Sequence, residues 1–139
     1  MSGNEIRGRL RAHGVLPTAQ RVEVAELILG RPQHLSADQI LDRLRENGST
    51  VSKATVYNCL KIFSESGLVK EINVDATRRF YDSTTHPHHH FYHVGTGQLT
   101  DIDADEISIS NLPPLPEGTE KEGVEVLIRV RDKRFQSAD

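Results

Sequence analysis

Five of the seven histidines in this 139-residue chain fall within eight residues, HPHHHFYH, at positions 86–93. Imidazole nitrogens at this density can bind a metal ion or haem. The run lies mid-chain and is broken by Pro87, Phe91 and Tyr92, so it is not a terminal tag. Strand alternation sorts it: His88 and His90 share one face, and His89 and His93 share the other. Residues 88–94 and 97–102 read as a hairpin around Gly95-Thr96. A two-residue turn there sets His90 opposite Asp101 and His88 opposite Asp103, with paired side chains on the same face. Two imidazoles and one or two carboxylates suit Fe(II), Mn(II) or Zn(II) and carry no thiolate preference. The alternative is an edge strand with titratable surface histidines.

The elements that position this cluster are legible along the chain. Residues 5–13 predict a short helix with Ile6 and Leu10 one turn apart. Pro17-Thr18 open a second, whose Val22, Ala25, Ile28 and Leu29 recur at helical spacing until Gly30-Arg31-Pro32. Ser36 and Gln39 form a capping box for a third helix with Ile40, Leu41 and Leu44 buried. Ser52 caps a fourth helix with an apolar face of Val56, Cys59, Leu60 and Phe63, and Gly67 fits its left-handed end. Two short strands, 68–74 and 78–82, flank the turn 75–77. Helices followed by a hairpin give the winged helix-turn-helix pattern.

In that pattern the helix from Lys53 enters the major groove of double-stranded DNA. Thr55 and Tyr57 can meet thymine methyls and phosphates, while Lys53 and Lys61 neutralise phosphates. The expected DNA-contacting set is Thr18, Arg21, Lys53, Thr55, Tyr57, Asn58 and Lys61. The other reading of this surface is an ordinary solvated helix face; the hairpin after it favours DNA.

Charge divides the chain the same way. Residues 1–80 hold 12 Lys/Arg against 9 Asp/Glu, and residues 81–139 hold 5 against 11. A mildly basic front and an acidic back point to two modules with different partners. The second module is mainly β, with Val124, Val126, Ile128 and Val130 alternating along a last strand. Pro113, Pro114 and Pro116 forbid a long helix between Asn111 and Glu117, so any helix there is short. The fold class expected is α+β: an N-terminal winged helix-turn-helix domain over 1–82, then a small α/β dimerisation domain over 83–139. No apolar stretch approaches the ~20 residues of a membrane helix, and no signal peptide is read at the start. A cytoplasmic protein with no membrane partner is expected. The single Cys59 allows no intramolecular disulfide and no CxxC zinc site, lies on an apolar helix face, and precedes Leu60 rather than the proline of a Cys-Pro haem motif.

The blocks GVLPTAQR, HLSADQI, SKATVYNCLKIFSESGLVKEI and FYDSTTHPHHHF resemble, in that order, the ferric uptake regulator (Fur) superfamily. The continuation through NLPPLPEG to VEVLIRVRDK is similar to its iron response regulator (Irr) branch. The resemblance implies a homodimeric transcriptional repressor of iron and haem homeostasis, binding an AT-rich inverted repeat. It places one metal site per subunit (Fe, Mn or Zn) on His34, Asp82, His88, His90 and Asp101. It also implicates the histidine run in haem binding or a second site, through His86, His88, His89, His90 and His93. Haem or the haem-synthesis machinery then becomes a partner, and the sequence leaves haem and metal as alternatives. His89 matches one ligand of the family's second metal site, and Pro87 stands at a usual histidine position. The cysteine pairs of a structural zinc are absent, with His93 and Thr96 at the first pair's positions. Asn58 replaces a common arginine in the recognition helix.

A metalloenzyme is the competing class. A catalytic zinc site needs an open position and a nearby general base. The chain has no HExxH helix, and only Glu106 among glutamates follows closely on the cluster. A DNA-binding half would be left unexplained, so no enzyme activity is expected. A metal or haem carrier that does not regulate is the third reading; failure to bind promoter DNA would distinguish it.

Overall fold

The computed structural model describes residues 2–133, so Met1 and residues 134–139, the outer ends of the two expected domains, lie outside it. The chain divides into two compact units at residues 85 and 86.

The first unit contains α1 (Gly3–Ala12), α2 (Ala19–Leu29), β1 (His34–Ser36), α3 (Ala37–Glu46), α4 (Lys53–Glu65), β2 (Lys70–Asn73) and β3 (Arg79–Asp82). Every one of its helices opens on a hydroxyl cap: Ser2, Thr18, Ser36 and Ser52 each accept a hydrogen bond from the third residue of the following helix. Ser36 and Gln39 form the reciprocal capping box expected of them. The apolar stripes meet in one cluster that includes Ile6, Leu10, Ile28, Ile40, Leu60 and Phe63, each fully shielded from solvent. Gly67, at φ 82°, ends α4 in the left-handed conformation, and Leu68 N–H returns to the Phe63 carbonyl at 2.9 Å.

The hairpin after α4 turns at Asp75, whose carboxylate accepts the amides of Thr77 and Arg78, each at 2.9 Å. Those bonds, first of all from Thr77, hold the Asp75 carboxyl below its ordinary pKa. The hairpin does not stand alone. β1 pairs antiparallel with β3, giving a three-stranded sheet in the order β1-β3-β2. Three residues carry no readable period, so β1 was not expected. It is fixed by contacts distant in sequence: Gln33 N–H donates to Ser83 Oγ, and Ser83 N–H to the Gln33 carbonyl, both at 3.0 Å. Ser36 then ends β1 and caps α3, so strand and helix share one residue.

The second unit is a sheet of β4 (His89–His93), β5 (Gln98–Ile102) and β6 (Leu127–Val130), in the order β5-β4-β6. β4 and β5 are antiparallel, whereas β6 lies parallel to β4. The expected last strand is shorter than its apolar alternation, and Val124 and Val126 precede it. A 3-10 turn, Ala104–Glu106, follows β5. The proline segment 111–117 is without helix, as the missing amide and fixed φ of proline require. No helix among the described residues is long and apolar enough to cross a membrane.

Candidate metal centre

The β4–β5 register brings His90 directly opposite Asp101, as expected from the sequence. The turn differs: residues 94–97 form a four-residue connection between the last pair, His93 and Gln98, closed by Gly97 N–H to the His93 carbonyl at 2.8 Å. Removing one residue pair symmetrically leaves the register unchanged, so His90 and Asp101 still meet. The expected His88–Asp103 pair is not formed. β5 ends at Ile102, and Asp103 instead precedes the 3-10 turn as an exposed residue.

His88, two residues before His90, shares its face. Its Nε2 lies 3.6 Å from Asp101 Oδ1, His90 Nε2 lies 3.3 Å from the same oxygen, and the two ring centroids are 4.5 Å apart. Both histidines are 5% exposed, whereas Asp101 is open to solvent. Two donors about 2.1 Å from one ion at a tetrahedral angle stand about 3.4 Å apart. The three side chains therefore fit a small divalent cation, and each offers a ligand atom within 4.8 Å of the others.

Hydrogen bonding gives His88 a defined tautomer. Its Nδ1 is 2.8 Å from the His86 carbonyl, which can only accept, so Nδ1 carries the proton. Its Nε2 is the ring nitrogen that faces Asp101. Donating the remote ring N–H to a backbone carbonyl is also how a metal-binding imidazole is ordinarily oriented.

The five histidines of the run do not converge. The His86 ring lies 5.5 Å from that of His88. His89 and His93 face the opposite side of β4. His93 Nε2 contacts Thr100 Oγ1 at 3.2 Å, and the buried His89 accepts the amide of Val126.

His34 and Asp82 belong to the first unit, where they are direct partners across β1 and β3. The His34 ring meets Phe80 edge-on at 6.5 Å. Asp82 is 1% exposed, and its carboxylate accepts the Thr84 amide at 2.8 Å. Without β1, nothing in the sequence pattern signals that these two side chains are neighbours.

On α4, Lys53, Tyr57, Asn58 and Lys61 are exposed. Thr55 is half-buried, its hydroxyl 2.9 Å from that of Ser52 at the helix cap. Thr18 caps α2, and the Arg21 guanidinium donates to the Leu16 carbonyl at 3.0 Å. Lys53 Nζ sits 5.8 Å from the Tyr57 ring centre and 3.7 Å from Asp38. Sequence reasoning missed Asp38, because that contact crosses from α3 to α4. It also missed the ion pair of Arg79 with Glu71, at 2.6 Å, in the groove beside Tyr57 and Tyr81. Burial pushes the Tyr81 phenol and the Cys59 thiol up from their ordinary pKa values; the latter agrees with a core cysteine.

Residues 12–126 match the Ferric uptake regulator family. The chain belongs to that family. It is 33% identical over 93 residues to the peroxide-responsive repressor PerR of Staphylococcus saprophyticus, and 32% identical over 93 residues to PerR of Staphylococcus aureus. Each alignment takes in 67% of this chain but 63% of the relative, so the chain spans less than two thirds of these curated relatives' length. The ferric uptake regulator of Pseudomonas aeruginosa, solved with manganese, superposes with a TM-score of 0.71 at 27% identity, covering 92% of this chain and 98% of that one. The Francisella tularensis regulator, solved with iron, gives 0.71 at 24% identity over 88% and 96%, which shows the shared fold. This member of the ferric uptake regulator family thus has the mixed α and β fold of its relatives, with a winged-helix unit first.

Proposed function

We propose that this protein is a homodimeric, metal-responsive transcriptional regulator rather than an enzyme. It acts in the cytoplasm on an AT-rich inverted repeat in double-stranded DNA. The observation that carries this reading is the buried His88–His90 pair facing Asp101, in a chain whose first unit presents Lys53, Tyr57, Asn58 and Lys61 on one helix. His34 and Asp82 complete the ligand set in this proposal. The likeness to a manganese-bound regulator supports Mn(II), and the nitrogen-and-oxygen donor set also admits Fe(II) and Zn(II). The bound ion would supply positive charge that draws the two imidazoles and the carboxylate together. In this proposal metal occupancy biases DNA binding.

The Irr-like blocks support a role in iron and haem homeostasis as a repressor, with haem as a competing ligand of the histidine run. Metal is the better-supported ligand, because His88 and His90 both face the Asp101 carboxylate, a nitrogen-and-oxygen set. The DNA-contacting set of Thr18, Arg21, Lys53, Thr55, Tyr57, Asn58 and Lys61 is part of the same proposal.

The test is operator binding by apo, Mn(II)-loaded and haem-loaded protein on one footprinted promoter, at several salt concentrations. Tyr57→Ala is expected to cost about 1–3 kcal/mol at its own base position. Lys61→Ala should weaken all sequences alike and reduce the salt slope by about one unit. Unaltered affinity and base preference in Tyr57→Ala would rule out α4 as the reading helix. Equal DNA binding in all three ligand states would rule out the regulatory reading.

A further inference from the structure

His89 lies between the two imidazoles of the metal centre, yet its surroundings are of another kind. It is 7% exposed, and its Nδ1 accepts the backbone N–H of Val126 at 2.9 Å, across 37 residues of chain. A backbone amide can only donate, so this Nδ1 is unprotonated. The single proton of the neutral ring must then sit on Nε2. One nitrogen is engaged and the other protonated, so neither has a lone pair for a metal or a haem iron while the bond stands.

The same residue is held on its other side. His90 N–H donates to the Val126 carbonyl at 3.1 Å, and Leu127, the next residue, begins the pairing of β6 with β4. β6 is a four-residue parallel strand that no tight turn joins to its neighbour. A parallel pair needs a long connection, so its register must be pinned by contacts at the strand itself. Val126 is where the pairing starts, and His89 supplies a side-chain hydrogen bond there.

We propose that His89 is a latch, not a ligand: it fastens the segment entering β6 onto β4 and so positions His88 and His90. Its neighbours in sequence are the metal donors, and His90 is bonded through its own amide to the residue that His89 holds. Releasing Val126 frees the backbone at His90 on that side. The effect on metal affinity rests on the proposed metal-sensing function; the latch itself does not.

The test uses the full chain. In the wild type, nitrogen-15 NMR of the imidazole should show the Nε2–H tautomer for His89, and the Val126 amide should exchange slowly with solvent. His89→Ala should speed that exchange and weaken Mn(II) binding about tenfold, at the low end for loss of an outer-sphere partner. His89→Asn, whose Oδ1 can take the place of Nδ1, should restore most of both. His89→Gln, whose acceptor reaches further, should not. Unchanged Mn(II) affinity in His89→Ala, or a second bound Mn(II) or a haem absorption band lost with His89 alone, would overturn the proposal. Should His89→Ala fail to fold, the Asn and Gln variants and the wild-type tautomer decide the matter. A wild type that binds no Mn(II) would remove the metal-sensing function, while tautomer and amide exchange would still test the latch.

Discussion

His90→Ala is expected to abolish metal-dependent DNA binding, with Mn(II) affinity falling at least about a hundredfold. Losing an outer-sphere partner costs roughly ten- to hundredfold, and His90 is placed to be a ligand itself. It is 5% exposed, held within the three-stranded sheet, and 3.3 Å from the Asp101 carboxylate. No neighbouring side chain can slide into its place, because strand alternation sends His89 and Phe91 to the other face. Calorimetric titration of Mn(II) into wild type and variant measures the loss, with circular dichroism confirming that the fold persists. His34→Ala, from the other unit, should weaken Mn(II) binding less. Operator affinity in that variant should no longer respond to metal. Wild-type Mn(II) affinity in His90→Ala would remove the proposed centre.

Phe63→Ala is expected to destabilise the protein by about 3–5 kcal/mol. Phe63 is fully buried and heads the largest fully shielded side chains, at the point where α4 meets the rest of the first unit's core. Its carbonyl also receives the Leu68 amide that closes the helix. A loss of this size is a large fraction of the roughly 5–15 kcal/mol that holds a typical domain folded. Urea unfolding monitored by circular dichroism gives the value. A change below about 1 kcal/mol would mean that α4 is not seated in the core as described. Because α4 also carries Tyr57 and Lys61, operator affinity should fall as the folded fraction falls, without change in base preference. That separates the effect from Tyr57→Ala.

Both expectations start from features legible in the chain itself. Hydroxyl caps at Thr18, Ser36 and Ser52 and apolar residues at helical spacing locate α2, α3 and α4, because capping and amphipathic burial act over one or two turns. The meeting of His90 with Asp101 is equally local: period-two alternation and a short connection specify it, even though the turn is four residues rather than two. A single cysteine excludes a CxxC zinc site by count alone.

Tertiary structure decided the rest. β1 exists because β3 offers it a partner, and only that pairing sets His34 beside Asp82, 48 residues later. The parallel docking of β6, and with it the Val126 bond that engages His89, joins segments with no common local period. The Lys53–Asp38 contact depends on how α3 packs near α4. Local rules govern caps, faces and hairpin register, since each is settled within a few residues. Which distant backbone amides and side chains pair is settled by the burial of the whole core, and no short stretch of sequence carries that information.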